Sequence, residues 1–109
     1  MVAVPYEFRY DQRLQISKPH LYVTYEELSE EQREEYELLC QRACSGIPDQ
    51  IHSLEEAYMA CFEQLTTVED DDQFHTLLDE MNELSSRISD LNVLYLQLEG
   101  HFLNERVHA

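Results

Sequence analysis

The feature that most constrains this chain of 109 residues is an apolar seam near its C-terminal end. Apolar side chains recur there at alternating spacings of four and three residues, at Leu77, Met81, Leu84, Ile88, Leu91, Tyr95, Leu98 and Phe102. Such a heptad repeat is typical of a helix that buries one edge against another helix. A helix over about residues 72–107 would be on the order of 50 Å long, much longer than a compact domain of this size requires.

A second heptad seam predicts another helix over about residues 48–68. Its apolar positions are Ile47, Ile51, Leu54, Tyr58, Cys61, Leu65 and Val68. Met59 and Phe62 widen this seam, which favours a central helix that is buried on more than one side. The run from Thr66 to Asp72 then predicts a turn, because clustered acids fit poorly at a helix C-terminus and well at the start of the next helix.

A weaker amphipathic helix is predicted upstream, over about residues 24–45. Two residue pairs have the spacing of a capping box and could begin this helix, Thr24 with Glu27 and Ser29 with Gln32. Gly46 is suited to a left-handed C-cap and Pro48 follows two residues later. The sequence therefore predicts a break between the first and second helices.

The N-terminal residues 1–23 differ from the rest of the chain because aromatic residues and prolines interrupt a partial alternation of apolar and polar side chains. This pattern favours an extended arm or short strands, which pack along the helices, add to a partner or stay mobile. The predicted fold class is all-α. Three helices occupy residues 24–109, and the second and third form an antiparallel coiled-coil hairpin.

The predicted helix lengths leave part of the third helix uncovered. A second helix of about 20 residues cannot shield a partner of about 35, so the far third of the longer helix projects beyond it. The apolar residues predicted there to bind a partner are Leu91, Leu94, Tyr95, Leu98 and Phe102. They could be covered by the first helix, the N-terminal arm, a second copy of the chain or a client protein, and each gains roughly 1.5–3 kcal/mol on full burial.

The charge of the chain is strongly negative and unevenly distributed. The net charge is −16, and residues 24–109 carry 21 acidic and only four basic side chains. Such a surface repels nucleic acid and anionic lipid, so we expect neither as a partner. A basic protein would be the natural complement, although a charged surface can also serve only solubility. Neither a membrane-spanning run nor a signal peptide is evident, so a cytoplasmic protein is expected.

The residues that could carry chemistry do not form a recognisable site. Cys40 and Cys44 lie one helical turn apart, but they fall among packing residues rather than in the paired turns of a zinc site. The acids at residues 70–72 lack the alternating ligands and glycine of a calcium loop. With only two glycines, no phosphate-binding loop is possible. We therefore expect no enzymatic activity, no cofactor and no metal ion.

These features favour a protein whose function is to bind another protein through apolar helical faces. The principal hypothesis is a small acidic adaptor or chaperone-like protein that holds a partner segment and forms a homodimer or hetero-oligomer. Two alternatives remain open at this point. The chain could be a structural coiled-coil subunit of a larger assembly, or an acidic inhibitor that mimics nucleic acid toward a basic protein.

Overall fold

Two long helices and one short β-hairpin make up the computed structural model, which describes the backbone of residues 4–107 and the side chains of residues 4–100. Strands β1 (Tyr6–Asp11) and β2 (Ile16–Leu21) precede a single 3-10 turn at Tyr25–Glu27. Helix α1 spans Glu30–Leu65, and helix α2 spans Asp71–Val107 and packs antiparallel against it.

The molecule is elongated. It measures 60 × 33 × 16 Å, and its radius of gyration is 18.6 Å against about 13 Å for a compact domain of this length. Its accessible surface of 7768 Å² is also larger than the roughly 6,300 Å² expected of a globular monomer of this mass. A two-helix rod therefore leaves an unusually large part of its helical surface exposed.

The predicted all-α bundle of three helices is wrong. The predicted helices over residues 24–45 and 48–68 are one continuous helix, α1, which passes through Gly46 and Pro48. No glycine in the described residues has a positive φ, so Gly46 does not form the left-handed cap. Glycine and proline cost about 1 and 3 kcal/mol inside a helix, but Ile47 between them is fully buried and the seam continues on both sides. Tertiary packing outweighs the two local signals.

The core follows the seam between the two helices. Its most buried members are Tyr36, Cys40, Ile47, Leu54 and Cys61 from α1, and Met81, Leu84, Leu91, Leu94 and Leu98 from α2. Apolar seams on both helices therefore meet over most of their length, and this arrangement confirms that the chain forms an antiparallel helical hairpin.

The starts of both helices follow the sequence signals, the Ser29 and Gln32 pair before α1 and the cluster of acids before α2. At the start of α1, the Gln32 backbone N–H donates to Ser29 Oγ at 3.1 Å, and the Ser29 N–H donates to the Gln32 side chain at 3.0 Å. Before α2, the Asp72 N–H donates to the Asp70 carboxylate at 3.2 Å. These bonds satisfy N–H groups that have no partner within the helix.

The N-terminal arm forms short strands, one of the two predicted conformations. β1 and β2 are antiparallel and pair Tyr6 with Leu21 and Asp11 with Ile16. In the connecting turn, the Leu14 N–H donates to the Asp11 carboxylate at 2.9 Å, and Gln15 adopts a left-handed φ of 57°. Leu14 and Ile16 are buried, so the hairpin is packed onto the helices.

Candidate protein-binding face

The predicted partner-binding residues lie mostly inside the helical hairpin. Leu91 is fully buried, and Leu94 and Leu98 are also buried. Tyr95 is partly buried, and the side chain of Phe102 lies outside the described residues. The inference that this part of α2 is uncovered was wrong for its described side chains up to residue 100, because α1 has 36 residues rather than about 20 and runs alongside them. Whether any of these residues binds a partner remains a prediction.

The β-hairpin covers one broad face of the two helices. The Arg13 guanidinium near its tip donates to Asp90 Oδ2 and Ser86 Oγ, both at 2.7 Å, and to Glu83 Oε1 at 3.1 Å. At the other end of the hairpin, the Tyr6 ring lies 5.2 Å from the ring of Tyr36. The hairpin is thereby tied to both helices.

On the opposite side of α2 from the Arg13 contacts, the junction of the two helices between about Gln41 and Phe62 has open cavities and exposed apolar side chains in the described residues. Near the N-terminal end of α1 it is closed by Tyr25, whose hydroxyl donates to Glu37. Beyond that point a shallow groove follows the junction of α1 and α2. We call this groove and its borders the open face. It contains the cavity-lining residues Cys44, Pro48, Glu55, Tyr58, Met59, Ser85, Ile88, Tyr95 and Glu99, together with Phe62, which lies on the same side of α1 three residues after Met59.

Two cavities lie along the open face. One of about 320 Å³ is bordered chiefly by Cys44, Pro48, Tyr95 and Glu99. The other, of about 280 Å³, is lined by Glu55, Tyr58, Met59, Ser85 and Ile88. Both are open depressions between helices, of a size to accept apolar side chains rather than a large ligand.

The apolar side chains of the open face are substantially exposed. Met59 is 52% exposed and Phe62 is 47% exposed, whereas Tyr58 and Ile88 are partly buried beside them. The sequence predicted that Met59 and Phe62 lie on a second buried side of their helix. The structure leaves that side uncovered. Their position beside the heptad seam was the sequence signal for this face, and assigning them to a central helix obscured it.

The borders of the open face are acidic. Glu55 and Glu99 line the two cavities, and no Lys or Arg does so. The Tyr95 hydroxyl donates to Glu99 Oε1 at 3.0 Å, which raises the pKa of Tyr95 and fixes that carboxylate at the groove. The basic side chains Arg9, Arg13 and Lys18 all belong to the β-hairpin. The groove therefore presents carboxylates and no Lys or Arg side chain.

A larger concavity lies elsewhere, at the turn between α1 and α2. It measures about 840 Å³ and is lined mainly by polar and acidic residues, among them Gln64, Glu69, Asp70, Asp72 and Gln73. Apolar anchors are few in this wide opening, so it is a weaker candidate than the groove for binding an apolar segment.

The cysteines behave as packing residues. All three are free, and burial raises the pKa of the Cys40 thiol to about 11 and raises the pKa of Cys44 as well. A thiol held protonated at neutral pH is a poor nucleophile and metal ligand. Within the described residues, no group of three or more His, Cys, Asp or Glu side chains is placed to hold a metal ion. None of the described helices has an apolar stretch long enough to cross a bilayer.

Comparison with known proteins gives no further assignment: no family model, no curated protein and no solved structure matches this chain.

Proposed function

We propose that this chain is a protein-binding adaptor of the chaperone-like kind, which holds an amphipathic helix of another protein on its open face. The observation that carries the proposal is the pair of exposed apolar side chains Met59 and Phe62, next to the partly buried Tyr58 and Ile88, in a groove that Glu55 and Glu99 border and that no Lys or Arg lines. An amphipathic helix would lie in the groove between α1 and α2 and complete a three-helix bundle. Helix-in-groove recognition of this type uses apolar anchors at helical spacing.

Burial of the half-exposed anchors supports binding energetically. Complete burial of a Met or Phe side chain is worth roughly 1.5–3 kcal/mol, so covering the exposed halves of Met59 and Phe62 contributes about 1.5–3 kcal/mol in total. This is part of the binding free energy that a complex requires. The remainder would come from partner side chains that fill the cavities beside Tyr58 and Tyr95.

The charge of the partner follows from the borders of the groove. A helix flanked by Lys and Arg would meet Glu55 and Glu99, and the net charge of −16 would increase its rate of association at low salt. Phosphate backbones and anionic lipids would be repelled by the same borders, so neither is proposed as a partner. Leu98 and Tyr95 line one cavity of the groove, Leu91 and Leu94 belong to the buried core, and no catalytic role is proposed.

The proposal can be tested with designed peptides. The first is an amphipathic helical peptide with a Leu and Met stripe and Lys flanks, the second has the same stripe with Glu flanks, and the third is a scrambled peptide with the composition of the first. Fluorescence anisotropy should show saturable binding of the first peptide, much weaker binding of the second and only weak, salt-sensitive binding of the third.

Variants with matched exposure identify the face that binds. Met59→Asp and Phe62→Asp should weaken binding of the Lys-flanked peptide at least about tenfold, because a charge is placed in the groove. Val93→Asp and Leu38→Asp change side chains that are 51% and 47% exposed outside the groove and should leave binding unchanged. If all four variants bind alike, or the scrambled peptide binds as tightly as the amphipathic one, charge alone explains the affinity and the proposal is wrong.

A further inference from the structure

The strand pairing of the β-hairpin determines which backbone N–H and C=O groups remain available to pair with another strand. The Tyr22 N–H donates to the Pro5 carbonyl at 2.9 Å, and the register continues with Glu7 opposite His20 and Arg9 opposite Lys18. In an antiparallel ladder, alternate residues face the partner strand. The odd-numbered residues of β1 therefore bond to β2, and the N–H and C=O groups of Tyr6, Phe8 and Tyr10 point to the other edge.

The two edges of the hairpin differ in whether they can pair with another strand. On β2, the residues whose backbone groups point outward include Pro19, which has no N–H, and this strand lies closer to α1 than β1 does. Proline on an outward position prevents further strand pairing. The outer edge of β1 has no such protection. Among the described residues, no hydrogen bond joins the backbone of Tyr6, Phe8 or Tyr10 to another element.

The sequence of β1 is complementary to itself. If two copies pair antiparallel with Phe8 opposite Phe8, Tyr6 faces Tyr10 of the other copy and Glu7 faces its Arg9. The three even-numbered positions then form hydrogen-bonded pairs with the outward backbone groups, and each pair exchanges two hydrogen bonds. Opposite charges directly across an antiparallel pair are stabilising.

Among the registers within two residues of this one, only this register places opposite charges across from each other. A shift of one chain by two residues in one direction places Glu7 opposite Glu7, and the same shift in the other direction places Arg9 opposite Arg9. Both alternatives are unfavourable, because like charges directly opposite destabilise a strand pair. Glu7 and Arg9 already lie together on the exposed face of the sheet, with Arg9 Nε 2.8 Å from Glu7 Oε1. Tyr10, at 61% exposure, would be covered by the partner's Tyr6 ring.

We propose that the outer edge of β1 binds a second copy of this chain, and that the two hairpins join into a four-stranded antiparallel sheet centred on Phe8. The charge distribution favours this surface for self-association. Residues 1–23 carry three basic and two acidic side chains, whereas the rest of the chain is strongly acidic and repels another copy. The interface is separate from the open face, so both could be occupied in one complex.

Sedimentation equilibrium over low micromolar to millimolar concentrations tests the proposal. The wild-type protein should show a reversible increase toward twice the monomer mass. Glu7→Arg and Arg9→Glu should each weaken dimerisation about tenfold or more, because two attractive pairs become repulsive. An equimolar mixture of these two variants should dimerise again, since each Arg of one chain then faces a Glu of the other.

Controls separate strand pairing from a general charge effect or a folding defect. Glu7→Arg reduces the net negative charge, so general repulsion alone would predict stronger association rather than weaker. Lys18→Glu changes the charge by the same amount as Arg9→Glu on the neighbouring strand and should leave the dimer nearly intact. Tyr10→Pro removes one outward N–H without removing a bond to β2, and should weaken the dimer while preserving the far-UV circular dichroism spectrum.

Three results would overturn the proposal. The first is a wild-type protein that stays monomeric over the whole concentration range. The second is a dimer that is unaffected by Glu7→Arg and Arg9→Glu, which would place self-association on another surface. The third is failure of the two charge variants to dimerise on mixing while both remain folded.

Discussion

Replacement of Leu91 by alanine tests the packing on which the helical hairpin depends. Leu91 is completely buried between the helices. Leucine and alanine both favour helix, so the backbone contribution changes little. The lost carbon atoms remove about 2.4 kcal/mol of transfer free energy at roughly 0.8 kcal/mol per methylene, and the residual cavity increases the loss. We expect Leu91→Ala to reduce the free energy of unfolding by about 3–4 kcal/mol, a large part of the 5–15 kcal/mol typical of a domain.

Urea denaturation followed by circular dichroism measures this loss. For a slope of about 1–3 kcal/mol per molar urea, the midpoint should fall by roughly 1–4 M. The matched control is Leu96→Ala on the same helix, where the side chain is 65% exposed and the change should be within about 0.5 kcal/mol. If Leu91→Ala costs less than about 1 kcal/mol and resembles the control, α1 does not cover the middle of α2. The short-helix interpretation of the sequence would then be correct.

Three further predictions concern separate parts of the molecule. Arg13→Ala removes the bonds between the hairpin tip and α2, so amide hydrogen exchange should accelerate in residues 6–21 and remain unchanged in the helices; equal rates in both proteins would contradict the observed contacts. Gly46→Ala should raise the free energy of unfolding by about 1 kcal/mol, because nothing lies within 4 Å of the added Cβ; a loss of stability would indicate that α1 is broken there. Burial raises the pKa of Cys40 from 9.0 to about 11, so the thiol loses its proton more readily in the unfolded chain than in the folded one. The contribution of the neutral thiol to the free energy of unfolding is therefore complete below pH 9 and falls by up to about 2–3 kcal/mol as the pH rises to 11. Cys40→Ala should flatten the decline of the urea midpoint across that pH window, and an unchanged slope would show that the thiol is not desolvated.

Much of the helical hairpin could be predicted from the sequence because its signals are periodic. The predicted helix over 72–107 agrees with α2 at Asp71–Val107, and the predicted turn lies between Leu65 and Asp71. The heptad seam and the acids before α2 favour the same structure, so local propensity and tertiary packing agree there.

The break at Gly46 and Pro48 was wrongly predicted because local signals were given more weight than the phase of the seam. Tyr36, Cys40 and Ala43 continue the apolar spacing of Ile47 without a shift in phase, and this continuity is the signal for one helix. A real turn between two helices would normally shift that phase. The incorrect break shortened the predicted second helix, and the uncovered end of α2 followed from it.

The open face could not be derived from periodicity, because periodicity shows which side chains are apolar and not which of them another element covers. Met59 and Phe62 were predicted to lie on a second buried side of their helix, but both are about half exposed. No residue of β1 or β2 indicates that the hairpin lies on the opposite side of the two helices. That position depends on long-range contacts such as those of Arg13 with Glu83 and Asp90.

The exposed anchors of the open face should matter for binding and hardly at all for folding. Met59 and Phe62 are about half exposed, so neither contributes strongly to the core. Met59→Asp and Phe62→Asp should therefore lower the free energy of unfolding by less than about 1 kcal/mol, mainly through the lower helix propensity of aspartate, as should Val93→Asp. Equal urea midpoints for these variants, together with loss of peptide binding in the first two alone, would assign the apolar side chains to a partner. A loss of stability comparable to that of Leu91→Ala would instead show that they pack within the chain itself, and the open face would no longer be available to bind.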